Sequence, residues 1–213
     1  MASAEGRVGE LSISDTQFAT ARLDKRSQLV TVGGGGNYQE AAYRKRMYSG
    51  ANQGPAGTTT TVGLAATYTG LVIMNPIAST INMVVMSVGY TVTAAPTAAS
   101  IIGLMGSYAV TDNGAGTALV ARNNWLGTTT TGLVDGQGLV KSASVLVNAP
   151  WLVTVLGQVA ITGATAQAAV PPTIQSVFDL NGQFVLPPGG ALALYTSTVV
   201  AVIASFTWAE IPL

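Results

Sequence analysis

From Thr58 to the C-terminus the chain repeats one pattern, a short run rich in Val, Ile, Thr and aromatic residues followed by a turn signal. The runs are Thr58–Leu64, Tyr68–Met74, Ile81–Thr93, Ser100–Val110, Ala118–Arg122, Leu139–Val147, Leu152–Thr162, Phe178–Leu186, Ala191–Thr196 and Val199–Glu210. Between them stand Asn75-Pro76, Ala94-Ala95-Pro96, Asp112-Asn113-Gly114, Asp135-Gly136, Ala149-Pro150, Pro171-Pro172 and Pro187-Pro188-Gly189-Gly190. β-Branched residues fit a pleated surface, and Pro and Gly end such runs because they cannot continue the ladder or because they turn it. Hardly a helical pattern intervenes, so an all-β, jelly-roll-like sandwich is expected over residues 58–213. No internal repeat suggests a propeller or solenoid. In the last run Val200, Val202, Ala204, Phe206 and Trp208 share one face, and Val199, Ala201 and Ile203 make the other apolar too. Such a strand is either central in its sheet or covered by a partner. Trp151, which opens another run, is expected with Phe206 and Trp208 in the core or at a subunit interface.

Charge is confined to the other end of the chain. Of nine bases and nine acids, seven bases and five acids fall within the first 46 residues, which leaves Arg122, Lys141, Asp112, Asp135, Asp179 and Glu210 for the rest. Folded domains ordinarily keep water at their surface with such residues. A body that relies on Thr, Ser, Gly, Asn and Gln is suited to lie against other protein. Zero formal net charge argues against nucleic acid as a partner. Cys and His are both absent, which removes thiolate chemistry, disulfides and the commonest general base and metal ligand. The first six residues lack the basic and apolar regions of a signal peptide, and no window reaches the apolar length of a membrane-spanning helix, so no membrane association is expected.

Residues 1–57 read as an N-terminal arm. A short β-prone run, Gln28–Val32, stops at Gly33, Gly34, Gly35 and Gly36, a glycine hinge that lacks the Lys and Ser/Thr of a phosphate loop. One short helix is expected next, with Asn37 as cap, Glu40 completing a capping box and Gly50 as its end. Arg44, Lys45 and Arg46 then fall near the helix C-terminus, where positive charge is favoured, and Tyr43 with Met47 makes a small apolar face. Arg22, Lys25, Arg26, Tyr43, Arg44, Lys45 and Arg46 are the candidate docking residues, since cations on an arm can make charge-assisted hydrogen bonds to acidic groups of a partner.

Catalytic readings are weak. Asp112, Asp135, Asp179 and Glu210 show no spacing that pairs any two as a glycosidase dyad. The Asp112–Thr117 segment does not match a calcium loop and reads as an Asx-type turn. The threonine runs Thr58–Thr61 and Thr128–Thr131 suit strand edges and hydroxyl ladders. Trp125, in Arg122-Asn123-Asn124-Trp125, is the tryptophan left open for ligand contact. No catalytic residue, metal or cofactor is expected, so the chain is not read as an enzyme.

Two stretches carry a resemblance. One is Leu29-Val30-Thr31-Val32-Gly33-Gly34-Gly35-Gly36-Asn37-Tyr38-Gln39-Glu40-Ala41. The other is Phe184-Val185-Leu186-Pro187-Pro188-Gly189-Gly190-Ala191-Leu192-Ala193-Leu194, with the ending Phe206-Thr207-Trp208-Ala209-Glu210-Ile211-Pro212-Leu213. Together they resemble tailed-bacteriophage virion proteins of the capsid cement or decoration type. The resemblance implies a jelly-roll subunit made in the host cytoplasm and carried on the capsid exterior. It implies a homotrimer that clamps neighbouring copies of the major capsid protein. The alternative is a tail-fibre or receptor-binding module that binds host glycans, present in a few copies per particle rather than hundreds. A glycan-degrading enzyme is the third class, admitted only because β-sandwiches can host one.

Overall fold

A computed structural model describes residues 38, 41–42, 44–52, 58–94, 98–108, 118–125, 138–145, 148–159 and 175–213, with the backbone alone at 58, 142–145 and 175. The chain divides into two units, Met1–Gln39 and Glu40–Leu213, and the strands among the described residues belong to the second. They are β1 (Met47–Ala51), β2 (Thr58–Thr59), β3 (Thr67–Met74), β4 (Ile81–Val92), β5 (Ser100–Ser107), β6 (Ala118–Leu119), β7 (Arg122–Asn123), β8 (Leu139–Val145), β9 (Trp151–Val159), β10 (Gln175–Leu186), β11 (Ala191–Thr196) and β12 (Ala201–Pro212). The chain is therefore an all-β, jelly-roll-like sandwich. One antiparallel sheet has the order β10-β4-β12-β1-β7, with β2 also paired to β12, and the other has the order β6-β8-β3-β11-β5-β9.

Close contacts show how the sheets superpose. A Cβ built on Gly50 in β1 would lie 2.5 Å from Val140 Cγ2 in β8, and one on Gly157 in β9 would lie 3.1 Å from the Tyr90 hydroxyl in β4. β1 thus lies over β8 and β4 near β9, so β9 and β10 are the outermost strands on the same side of the sandwich. Between the sheets, alternate residues of each long strand interdigitate: Leu71, Ile73, Met83, Val85, Val88, Ile102, Leu104, Leu192, Leu194, Val202, Phe206 and Trp208 are all buried. Trp208 stacks with Tyr48 of β1, ring centroids 6.1 Å apart. β12 lies between β4 and β1, which decides between the two expectations for an apolar closing strand: it is central.

Buried polar groups tie the elements together. Asn75 donates from Nδ2 to the carbonyls of Ile81 (2.7 Å) and Leu186 (2.9 Å), while its backbone exchanges bonds with Gly189 and Gly190. This is what the Pro187–Gly190 turn does, and Gly189 supplies the positive φ of 88° that it requires. Asn52 extends the action of β1 along β12: its Nδ2 donates to Val202 O at 2.7 Å and its Oδ1 accepts from Ala204 N at 2.5 Å. The Thr60 and Thr196 hydroxyls meet at 2.8 Å, part of the ladder expected of the first threonine run.

The far end of the helix expected over Asn37–Gly50 is corrected. Among the described residues of that stretch Ala41 and Ala42 are helical, Arg44 and Lys45 form a turn, and Met47–Ala51 is strand β1, in register with β12 from Met47↔Ala209 to Ala51↔Ser205. Tertiary packing overrides the local capping signals, because Met47 and Tyr48 are buried and Gly50 lets two sheets approach. The sandwich accordingly reaches back past the expected start at residue 58.

Candidate functional site

The reversal from the Ala41–Ala42 turn into β1 creates a corner. Lys45 N donates to Ala42 O (3.0 Å) and Arg46 N to Ala41 O (2.9 Å), and Lys45 takes a left-handed φ of 57° that redirects the chain. Arg44 and Lys45 are thereby held exposed at the mouth of the strand, with Arg46 half-buried behind them. Its carbonyl accepts from Glu210 N at 2.8 Å, which anchors the corner to β12.

The second half of the corner comes from β7, on the far side of β1, in the register Tyr48↔Asn123 and Ser49↔Arg122. Asn123 bridges the two halves: Nδ2 donates to Lys45 O at 2.6 Å, and Oδ1 accepts from Trp125 N at 2.9 Å. Asn124 N donates to Met47 O at 2.9 Å, and Ser49 Oγ donates to Asn124 Oδ1 at 2.7 Å. These bonds set the Lys45 ammonium 6.0 Å from the centre of the Trp125 ring, at the outer limit of a cation–π contact. Trp125 stays 38% exposed.

Three exposed cations, Arg44, Lys45 and Arg122, therefore lie on the β1 turn and β7 that meet at this edge, with Lys45 beside the half-open Trp125 indole. The acids among the described residues lie elsewhere. Glu210 is buried, with Oε1 accepting from Gly138 N (2.9 Å) and Trp208 Nε1 (3.3 Å). Asp179 is exposed on β10, the opposite edge of the same sheet, where it accepts from Asn181 N at 3.0 Å. The corner is thus a positive, partly aromatic surface held rigid by backbone-directed asparagines. It can grip carboxylates through two guanidinium groups and an ammonium, with the indole face as an apolar support.

Of the candidate docking residues, the structure brings Arg44, Lys45 and Arg46 together at this corner. Arg22, Lys25, Arg26, Tyr43 and Gly33–Gly36 lie outside the described residues, as do Asp112, Asp135 and Thr128–Thr131. Phe206 and Trp208 are fully buried in the core. Trp151 is not a core residue. It is 50% exposed, because among the described residues β9 is the outermost strand of its sheet. Among the described residues no group of three or more acids could hold a metal, and no helix is long and apolar enough to cross a membrane. Sequence reasoning missed Arg122 and Asn123 as partners of the Lys45 turn. The polar cluster around Trp125 was a local signal, but its pairing with β1 is long-range. No family model, curated protein or solved structure matches the chain.

Proposed function

We propose that the chain is a structural virion protein, a capsid cement or decoration subunit that clamps neighbouring major capsid proteins from outside the shell. One observation carries the docking part of this reading. Exposed positive charge is gathered at Arg44, Lys45 and Arg122 on the β1/β7 edge, with Lys45 beside Trp125, on a sandwich whose described surface is otherwise almost uncharged. The resemblance of the chain's two ends to phage virion proteins supplies the nature of the partner. A rigid, positive corner suits an acidic rim on a shell protein. Several copies acting together would hold a seam at high effective concentration even if each corner bound weakly.

The test is binding of the purified full chain to shells that lack it, followed over a salt series. Binding should weaken steadily as salt rises, because rim charges are screened over about 10 Å at ~0.1 M salt. The double variant Lys45→Glu, Arg122→Glu should lose about tenfold or more in affinity, as expected when each reversed contact costs on the order of 1 kcal/mol. Salt-independent binding, or a double variant that decorates at full occupancy, rules the corner out. The exposed Trp125 ring between asparagines favours one second reading, a tail-borne module that stacks a host sugar. Hundreds of copies per particle support cement, and a few support the tail.

A further inference from the structure

We propose that the β9/β10 edge of the sandwich, on the side opposite the basic corner, is the face on which copies of this chain pack against one another. The inference deepens the assembly reading but stands on different residues. β9 and β10 are the outermost strands of the two sheets on one side of the molecule. β9 reads Trp151-Leu152-Val153-Thr154-Val155-Leu156-Gly157-Gln158-Val159, with no charged residue and no proline. Trp151 and Leu152 are exposed and Val155 is 56% exposed, and β10 adds exposed Val177 and Val185. At one end the Trp151 ring lies 5.8 Å from that of exposed Tyr108. Both border a pocket of about 370 Å³ whose lining includes Phe184, Leu186, Pro187 and Leu192.

A long edge strand is a hazard, and proteins ordinarily guard one with lysine, proline or a covering element. Here the guard is of another kind. The β5–β9 register shifts twice, between Ile102 and Gly103 and between Leu104 and Met105, and the β10–β4 register shifts between Asp179 and Phe184. Such irregularities interrupt the even row of backbone groups that an added strand would need, and they re-aim side chains. The edge is therefore ill suited to a further strand and well suited to side-chain packing.

Charge and size point to a second copy as the occupant. The only ionised residue in these two strands is Asp179, so a highly charged partner finds a single group to pair with, whereas the apolar residues of another copy match those of this one. A nine-residue strand is about 30 Å long, and two sheets ~10 Å apart with their side chains make a band roughly 20 Å wide. The resulting area, on the order of 600 Å², stands at the top of the range for the largest apolar patch of a monomer and approaches the ~800 Å² that each partner gives to a standard interface.

Sedimentation equilibrium on the full chain, from nanomolar to tens of micromolar, reads this directly. The wild type should self-associate. Val155→Asp should raise the dissociation constant by about 100-fold or more, since it would bury an unpaired charge, and Trp151→Ala should weaken association through loss of an aromatic anchor. Arg122→Glu, on the opposite edge, should leave association unchanged while impairing shell binding, so that failure of the docking reading and failure of this one are told apart. Circular dichroism checks that each variant is folded. If the edge variants do not fold, amide exchange on the wild type decides, with protection across 151–159 and 175–186 expected to rise with protein concentration. A wild type that remains monomeric at tens of micromolar, folded edge variants that associate normally, or edge protection independent of concentration would each overturn the proposal.

Discussion

Tyr68 is buried with its hydroxyl donating to the Leu194 carbonyl, and burial pushes its phenol well above the ordinary value of 10.0. The neutral ring is the form that the fold holds. An unfolded chain gives up that proton once pH passes about 10, while the folded chain keeps it, so above that point the native state binds more protons. The stabilisation from this group is complete below about pH 10 and is lost as pH rises beyond it, at up to ~1.4 kcal/mol per pH unit. Chemical denaturation of wild type and Tyr68→Phe between pH 8 and pH 12 tests this. The variant should be less stable at pH 8 by about 1 kcal/mol, for its lost hydrogen bond, and should show a shallower alkaline decline. Identical alkaline slopes would remove Tyr68 from the account. At this scale the sequence was legible where alternation speaks: Phe206 and Trp208 lie in the core that period two assigns them. Of the two places expected for Trp151, core or subunit interface, the core is ruled out; alternation cannot tell a central strand from an edge one.

Gly50 illustrates what is readable in an element and what is not. Its position after a capping box and a basic cluster made it a credible helix terminator. In the fold it sits inside β1, where the absence of a side chain lets the strand press on Val140 of β8. Apart from Ala118–Arg122, which splits into β6 and β7 of different sheets, the expected runs from Tyr68 onward became strands with modest changes at their ends, since each carries its own composition and its own turn signals. β1 carries neither, and its state is decided by Trp208, Asn123 and Val140, all remote in sequence. This yields a sign test. Gly50→Ala in a helix end or an open strand would be neutral or mildly stabilising. Against Val140 it should cost about 1–3 kcal/mol by overpacking, and Val140→Ala in the same chain should recover part of the loss. Thermal unfolding of the two variants checks this, and a Gly50→Ala protein that melts above wild type would mean the sheets do not meet there.

Among the described residues, the two long sides of the sandwich differ in chemistry: cations and an indole on the β7 side, and on the β9/β10 side mostly apolar residues with Asp179 as the one charge. A subunit that must grip a shell and also join its neighbours needs such a division, because each contact then selects its own partner. The charge partition of the sequence pointed to a docking arm over residues 1–57. The fold draws Arg44, Lys45 and Arg46 of that stretch into the rim of the sandwich, which no local pattern in residues 37–50 could have revealed, while Arg22, Lys25 and Arg26 lie outside the described residues. Truncation separates the two sources of positive charge. Deleting residues 1–36 removes Arg22, Lys25 and Arg26 but leaves every described strand pairing and the corner in place, so the protein should fold and melt within a few degrees of wild type. It should also still bind shells in a salt-dependent way, if the corner is the grip. Deleting residues 1–52 removes β1 and Asn52, strips Tyr48 from Trp208 and leaves β12 without one neighbour along its second half. Losing an aromatic partner and a strand costs several kcal/mol out of a typical stability of about 5–15 kcal/mol, so this shorter protein should aggregate or unfold. Calorimetry and shell binding on the pair decide the matter. A folded 1–36 deletion that no longer binds places attachment in the arm, and a 1–52 deletion as stable as wild type would show that β1 is not part of the core sheet.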